Sequence, residues 1–154
     1  MTLSPLGIAL IQFFEDYAPT AYRRYPSEPW TCGWGHTGVD VVEGTTCTEQ
    51  KAMAWLISDT SIAASAVLHD VKVSLSQHQF DALVSLVYNI GQVVLQHRSG
   101  EVWVASTLLT RVNSKQYPQA AEEFLEWDHV NGVPDKGVLR RRELERALFL
   151  DGTT

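Results

Sequence analysis

Thr31-Cys32-Gly33-Trp34-Gly35-His36-Thr37-Gly38-Val39 begins sixteen residues beyond Glu15, and it is the stretch that decides how this chain is read. Three glycines in nine residues suit tight turns and exclude a helix. The surrounding segment, Tyr22 to Thr46, has the same character. Pro26, Pro29, Gly33, Gly35, Gly38 and Gly44 break up short runs such as Val39-Asp40-Val41-Val42. Turns and a small antiparallel sheet with a β-hairpin are predicted here.

Helical patterns flank this segment on both sides. Ser4-Pro5 has the form of an N-cap followed by proline at the first helical position, and Leu6, Leu10, Phe13 and Phe14 recur at helical spacing. The first helix should end near Asp16 to Tyr17, before Pro19. Thr48 opens a long helix with Ala52, Leu56, Ala63 and Val67 roughly on one face. Ser76 to Gln79 reads as a capping box, followed by an apolar stripe at Phe80, Leu83, Val84, Val87 and Ile90 and a stop at Gly91. Further helices are predicted over 106–112, 118–127 and 138–150, with a turn at Asn131-Gly132-Val133-Pro134.

The predicted fold is α+β and mainly helical, in one domain over 1–154. It consists of a first helix over about 1–17, a β-containing small lobe over 18–47, a connecting helix over 48–70 and a larger helical lobe over 71–154. At 154 residues and 45% hydrophobic content, the chain can bury a sizeable core. The apolar run Pro5 to Phe14 contains Gln12 and is about half the roughly 20 residues a bilayer span needs, so neither a signal peptide nor stable membrane insertion is predicted.

A net charge of −6 argues against nucleic acid as a partner, because phosphate binding draws on clustered Lys and Arg. Arg23-Arg24 and Arg140-Arg141-Arg142 with Arg146 are local exceptions, readable either as binding clusters or as solvated faces. Cys32 and Cys47 fit no C-x-x-C or zinc-ligand spacing, and two reduced thiols are the default. In an oxidising compartment a disulfide between them could stabilise the loop-rich segment by roughly 3 kcal/mol. The five histidines, His36, His69, His78, His97 and His129, form no ligand pair, so neither metal nor cofactor is expected.

Several segments together resemble the phage lysozymes, in their lambdoid branch: Phe14-Glu15, Ala21-Tyr22 and Thr31 to Thr37, then Gln77 through Gly91, Ser106-Thr107-Leu108-Leu109, Ala120 to Phe124 and Leu139 to Leu150. That family carries a glutamate at the end of its first helix, an aspartate nine residues later and a threonine six residues after that. Glu15 and Thr31 match the first and third. The aspartate position is Arg24, and six rather than five residues separate it from Thr31.

The resemblance implies a lysozyme-like fold with a polysaccharide cleft between its lobes. It also implies cleavage of the β-1,4 bond between N-acetylmuramic acid and N-acetylglucosamine in peptidoglycan glycan strands. The setting implied is bacterial host lysis, with the protein held in the host cytoplasm until a holin permeabilises the membrane and then acting on the periplasmic wall; a monomer is the plain expectation for a small wall enzyme. The net negative charge suits an anionic wall polymer poorly.

Glu15 is the expected general acid, since the leaving sugar oxygen must take a proton as the bond breaks, and the helix C-terminus and Asp16 both disfavour its charged form. Inversion also needs a carboxylate about 6.5–9.5 Å away to activate water. Arg24 offers donors and positive charge for substrate but no basic lone pair. Three repairs are open: Glu28 replaces the aspartate, Thr31 alone positions the water, or a sugar hydroxyl attacks as in a lytic transglycosylase. A fourth reading is a catalytically impaired muramidase-like domain that binds peptidoglycan or a protein partner. Trp34, Tyr88 and Asn89 are expected to meet substrate, and Gly33, Gly35 and His36 to shape the hairpin. The segment Gln92 to Trp103, longer than the usual family connection, is expected to form a flap at the cleft mouth.

Overall fold

In the computed structural model, which describes residues 1–152, the Ser4 hydroxyl accepts from the Gly7 amide at 3.2 Å and opens helix α1 (Pro5–Glu15). The Ser4 amide donates to Asp81 at 3.0 Å, and the Ser4 hydroxyl donates to the other Asp81 oxygen, so one residue caps the helix and ties it down. Gly7 permits the close approach, because a Cβ there would lie 2.9 Å from the Asp81 side chain. This anchorage turns Gly7 and Ile11 inward and leaves Leu6 and Phe13 exposed, which corrects the apolar stripe read from spacing alone. Asp16, at φ 51°, leads the chain out of the helix.

Strands β1 (Ala18–Tyr22) and β2 (Thr31–Gly33) pair antiparallel, with Tyr22 opposite Thr31, Ala18 opposite Gly33 and an irregularity between. The sheet is smaller than predicted. Val39 and Val42 both face solvent while only Val41 is buried, and the run is folded into turns by bonds from the Val41 amide to the Gly38 carbonyl and from the Val42 amide to the Thr45 hydroxyl. Ala21, Cys32, Val41 and Trp55 form a small apolar cluster under this lobe.

Helix α2 (Glu49–Asp70), capped by Thr48, spans about 33 Å at 1.5 Å per residue. Its Trp55 belongs to the small cluster, whereas Ala63 and Val67 belong to the main core, so it contributes to both. Helix α3 (Gln77–Ile90) begins with the predicted capping box: Ser76 Oγ accepts from the Gln79 amide and Gln79 Oε1 accepts from the Ser76 amide. It ends at Gly91, whose φ of 99° a β-carbon would oppose. Phe80, Leu83, Leu86, Phe124 and Phe149 are fully buried around it, each contributing roughly 1.5–3 kcal/mol of burial.

Beyond Gly91 a 3-10 turn leads into a hairpin of β3 (Gln96–Ser99) and β4 (Val102–Ala105), so the expected flap segment has regular structure of its own. Helices α4 (Thr107–Asn113) and α5 (Tyr117–Glu122) follow, and the helix predicted to reach Trp127 gives way to 3-10 geometry over Glu123–Trp127. Asn131 and Gly132, both at positive φ, turn a short hairpin of β5 (His129–Val130) and β6 (Val133–Pro134). Helix α6 (Lys136–Asp151), capped by Asp135, packs across α3. No described helix is long and apolar enough to cross a membrane.

Candidate active site

The end of α1 delivers Glu15 into a cleft of about 770 Å³ whose walls come from the hairpin turn, α2 and the end of α3. Gly35, Thr37, Asp59, Ser65, His69, Tyr88, Asn89 and Gln92 line it with Glu15. The Glu15 side chain is 20% exposed, and Arg141 Nη1 donates to its Oε1 at 2.5 Å. Oε2 lies beneath Gly35, where an added Cβ would sit 3.1 Å away. Gly35 is therefore required twice, by this approach and by its φ of +86°. The carboxylate is held at one oxygen and faces the cleft lining with the other.

Tyr88 stands beside this group and donates its hydroxyl to the Trp34 carbonyl at 2.9 Å, tying α3 to the hairpin turn. Burial, then the charges of Glu15 and Asp59, push its phenol well above the usual range, while Arg141 works the other way. The phenol remains a hydrogen-bond donor at any physiological pH.

Behind Glu15 lies a buried ionic network. Glu145, fully buried, accepts from Arg141 Nε at 3.1 Å, Arg142 Nη1 at 2.6 Å and Ser85 Oγ at 2.6 Å. Arg142 also donates to Asn89 Oδ1, and its Nε is the one buried side-chain polar atom without a partner among the described residues. Burial pushes the Glu145 carboxyl up, with the opposing charges of Arg142 and Arg141 resisting it, and burial likewise pushes Arg142 down. The reading of Arg140 to Arg146 as a solvated basic face is thus wrong for Arg141 and Arg142. The i, i+3 and i, i+4 spacing of Arg142 and Arg141 to Glu145 closes the pairs inside the protein.

His36 organises the hairpin. Its Nδ1 meets Asp59 at 2.7 Å, its Nε2 meets Asp40 at 3.2 Å, and its ring stacks on Trp55 at 4.5 Å. Trp55 Nε1 donates to Asp40 at 3.0 Å, and the His36 bond leads the causes that hold the Asp40 carboxyl below the usual range. Gly33, at φ +66°, lets β2 approach α2, since a Cβ would meet Ala52 at 2.8 Å.

The remaining expected site residues are dispersed. Arg24 and Glu28 are exposed in the loop between β1 and β2, where the Arg24 amide donates to Glu28 Oε2 at 3.2 Å. Thr31 is half-buried on β2, and Trp34 packs on Tyr17 at 5.1 Å. None of these four lines the cleft, whereas Tyr88 and Asn89 do. Cys32 and Cys47 are free thiols with Sγ atoms 3.2 Å apart, too far for the covalent bond of about 2.05 Å. Asp59, Arg141 and Glu145 escaped sequence reasoning because each sits in a helical pattern that scores as solvated.

A family model described as Phage lysozyme matches residues 12–145. The endolysin of Bacillus phage B103 is 40% identical over 153 residues, covering 99% of this chain and 55% of that endolysin. The chain thus spans about half the length of the Bacillus phage relatives it matches. The endolysin of Salmonella phage P22 is 38% identical over 154 residues, covering 97% of this chain and 99% of its own. Among solved structures, the muramidase domain of SpmX from Asticaccaulis excentricus superimposes with a TM-score of 0.83 at 35% identity, covering 97% of each chain.

Proposed function

Because this chain belongs to the phage lysozyme family, we propose that it is a peptidoglycan hydrolase that cleaves the β-1,4 bond between N-acetylmuramic acid and N-acetylglucosamine during host cell lysis. The observation that carries this reading is a carboxylate at a helix end, clamped by Arg141 on Oε1 and turned under Gly35 into a cleft sized for sugars. In the proposed step, Glu15 gives its proton to the glycosidic oxygen while water attacks the anomeric carbon from the opposite face. Tyr88 and Asn89 contact substrate from the cleft wall, while Glu28 swings in from its exposed loop, outside the cleft lining, to take the proton from that water, with Thr31 orienting it and Arg24 and Trp34 contacting substrate at the cleft edge. The support for Glu28 is its bond to the Arg24 amide, which holds a carboxylate oxygen 3.2 Å from the backbone of the position that the resemblance aligns with the family's aspartate.

The proposed setting is that of a monomer stored in the host cytoplasm and admitted to the periplasmic wall when a holin opens the membrane. Turbidity loss of outer-membrane-permeabilised Gram-negative cells tests the enzyme reading, with Glu15→Gln as control. Lysis that the control abolishes supports it, and equal lysis by the control refutes it. Glu28→Gln should lower the rate about 10²–10⁴-fold, and near-normal rates remove Glu28 as the base. Reducing ends on released muropeptides mark hydrolysis, whereas 1,6-anhydro ends mark a lytic transglycosylase.

Arg24 favours one rival reading, a muramidase-like domain without a working base that binds wall glycan or a protein partner. Binding to sacculi with no lysis by either form would establish it.

A further inference from the structure

The β3–β4 hairpin leaves an indole in solvent. Trp103 is 60% exposed, flanked by exposed Val102 and Val104, although tryptophan is among the more buried residue types on average. The register places Arg98 opposite Trp103 and Gln96 opposite Ala105, so Gln96, Arg98, Trp103 and Ala105 share one face. His97 and Val104 share the other, and His97 there lines a separate hollow with Glu123 and Trp127.

The direction of the Trp103 face is fixed by Gln96. Its amide donates to buried Asp70 at the end of α2, as does the amide of cleft-lining Gln92, and Asp70 also pairs with cleft-lining His69 at 2.7 Å. The face that carries Trp103 is therefore tied through Asp70 to two residues of the cleft wall, with Arg98 and Trp103 about 7 Å further out along the strands than Gln96.

We propose that this face is an outer subsite for the same glycan strand that fills the cleft, with Trp103 stacking on a sugar ring and Arg98 pairing with a stem-peptide carboxylate. The inference rests on the glycan reading above. Sugar rings offer apolar C–H faces that suit an indole, and the wall polymer carries carboxylates that suit an exposed guanidinium in a chain of net charge −6.

Dissociation constants measured in a Glu15→Gln background with purified glycan strands test this, comparing long strands with tetrasaccharides. Trp103→Ala should weaken long-strand binding about ten-fold and erase most of the preference for long over short strands. Trp103→Phe should recover most of the loss, and Val133→Ser, an equally exposed change in the β5–β6 hairpin, should alter nothing. Unchanged long-strand binding by Trp103→Ala, or equal weakening at both lengths, overturns the subsite alone. So does a loss confined to binding of phosphatidylglycerol-containing vesicles. Failure of the Glu15→Gln parent to bind any strand refutes the glycan reading, and the subsite with it.

Discussion

Glu145→Gln is expected to destabilise the protein by about 3–5 kcal/mol, the scale for breaking a buried ion pair by removing one partner. In the native protein two cations, Arg141 and Arg142, face two carboxylates, Glu15 and Glu145. Glu145 and Arg142 are both fully buried. The substitution keeps the volume but removes one negative charge and turns an acceptor into an amide donor facing a guanidinium. The one remaining oxygen can serve Arg141 and Ser85 or Arg142, but not both sides, so one guanidinium meets the new amide donor. Against a total stability of about 5–15 kcal/mol, the loss should lower Tm by roughly 6–20 °C. Urea unfolding at fixed pH measures it, with an unchanged m-value confirming that stability rather than compactness changed. Pairing the change with Arg142→Met restores charge balance, so the double variant should be more stable than the single one. A single-variant cost below about 1 kcal/mol, or a double variant less stable than the single one, would refute the account of a buried quartet held by mutual charge.

Gly35→Ala should cost about 1–2 kcal/mol through its φ of +86° and should also displace Glu15, which lies 3.1 Å from the new Cβ. Wall hydrolysis should therefore fall further than thermal stability alone explains, and a fully active variant contradicts this contact. Burial, then the bond with Cys47, pushes the Cys32 thiol from 9.0 up to about 11, so the native state keeps a proton that the unfolded chain releases. The stability this provides is complete below pH 9.0 and is lost as pH rises toward about 11. Cys32→Ala should flatten that decline in unfolding curves, and identical slopes for both proteins would exclude the thiol as its source.

Where structure depends on neighbours in the chain, sequence reasoning and structure agree. The Ser76–Gln79 capping box, the Thr48 cap, the stop at Gly91 and the Asn131-Gly132 turn are all set by hydrogen bonds and φ preferences within a few residues. The errors have a common origin. Val39 to Val42 has strand composition but lacks a partner strand, and strands are stable only when paired. Leu6 and Phe13 match a helical stripe, yet Ser4 and Gly7 dock α1 on Asp81 and aim a different face inward. Arg141, Arg142 and Glu145 look solvated to any pattern of polarity, because periodicity registers charge and not its pairing.

The sequence by itself determined that a glutamate ends the first helix and that a glycine-rich hairpin follows. These are properties of local chemistry and residue order. Only the tertiary structure decided that Arg141, 126 residues from Glu15, clamps one carboxylate oxygen, that Gly35 covers the other, and that Asp59 joins them at the cleft. It also decided that Trp103 shares a face with Gln96, which Asp70 ties to cleft-lining Gln92 and His69. Such partners are brought together by helix packing and strand register, which depend on the whole core and leave no mark in the spacing of the residues themselves.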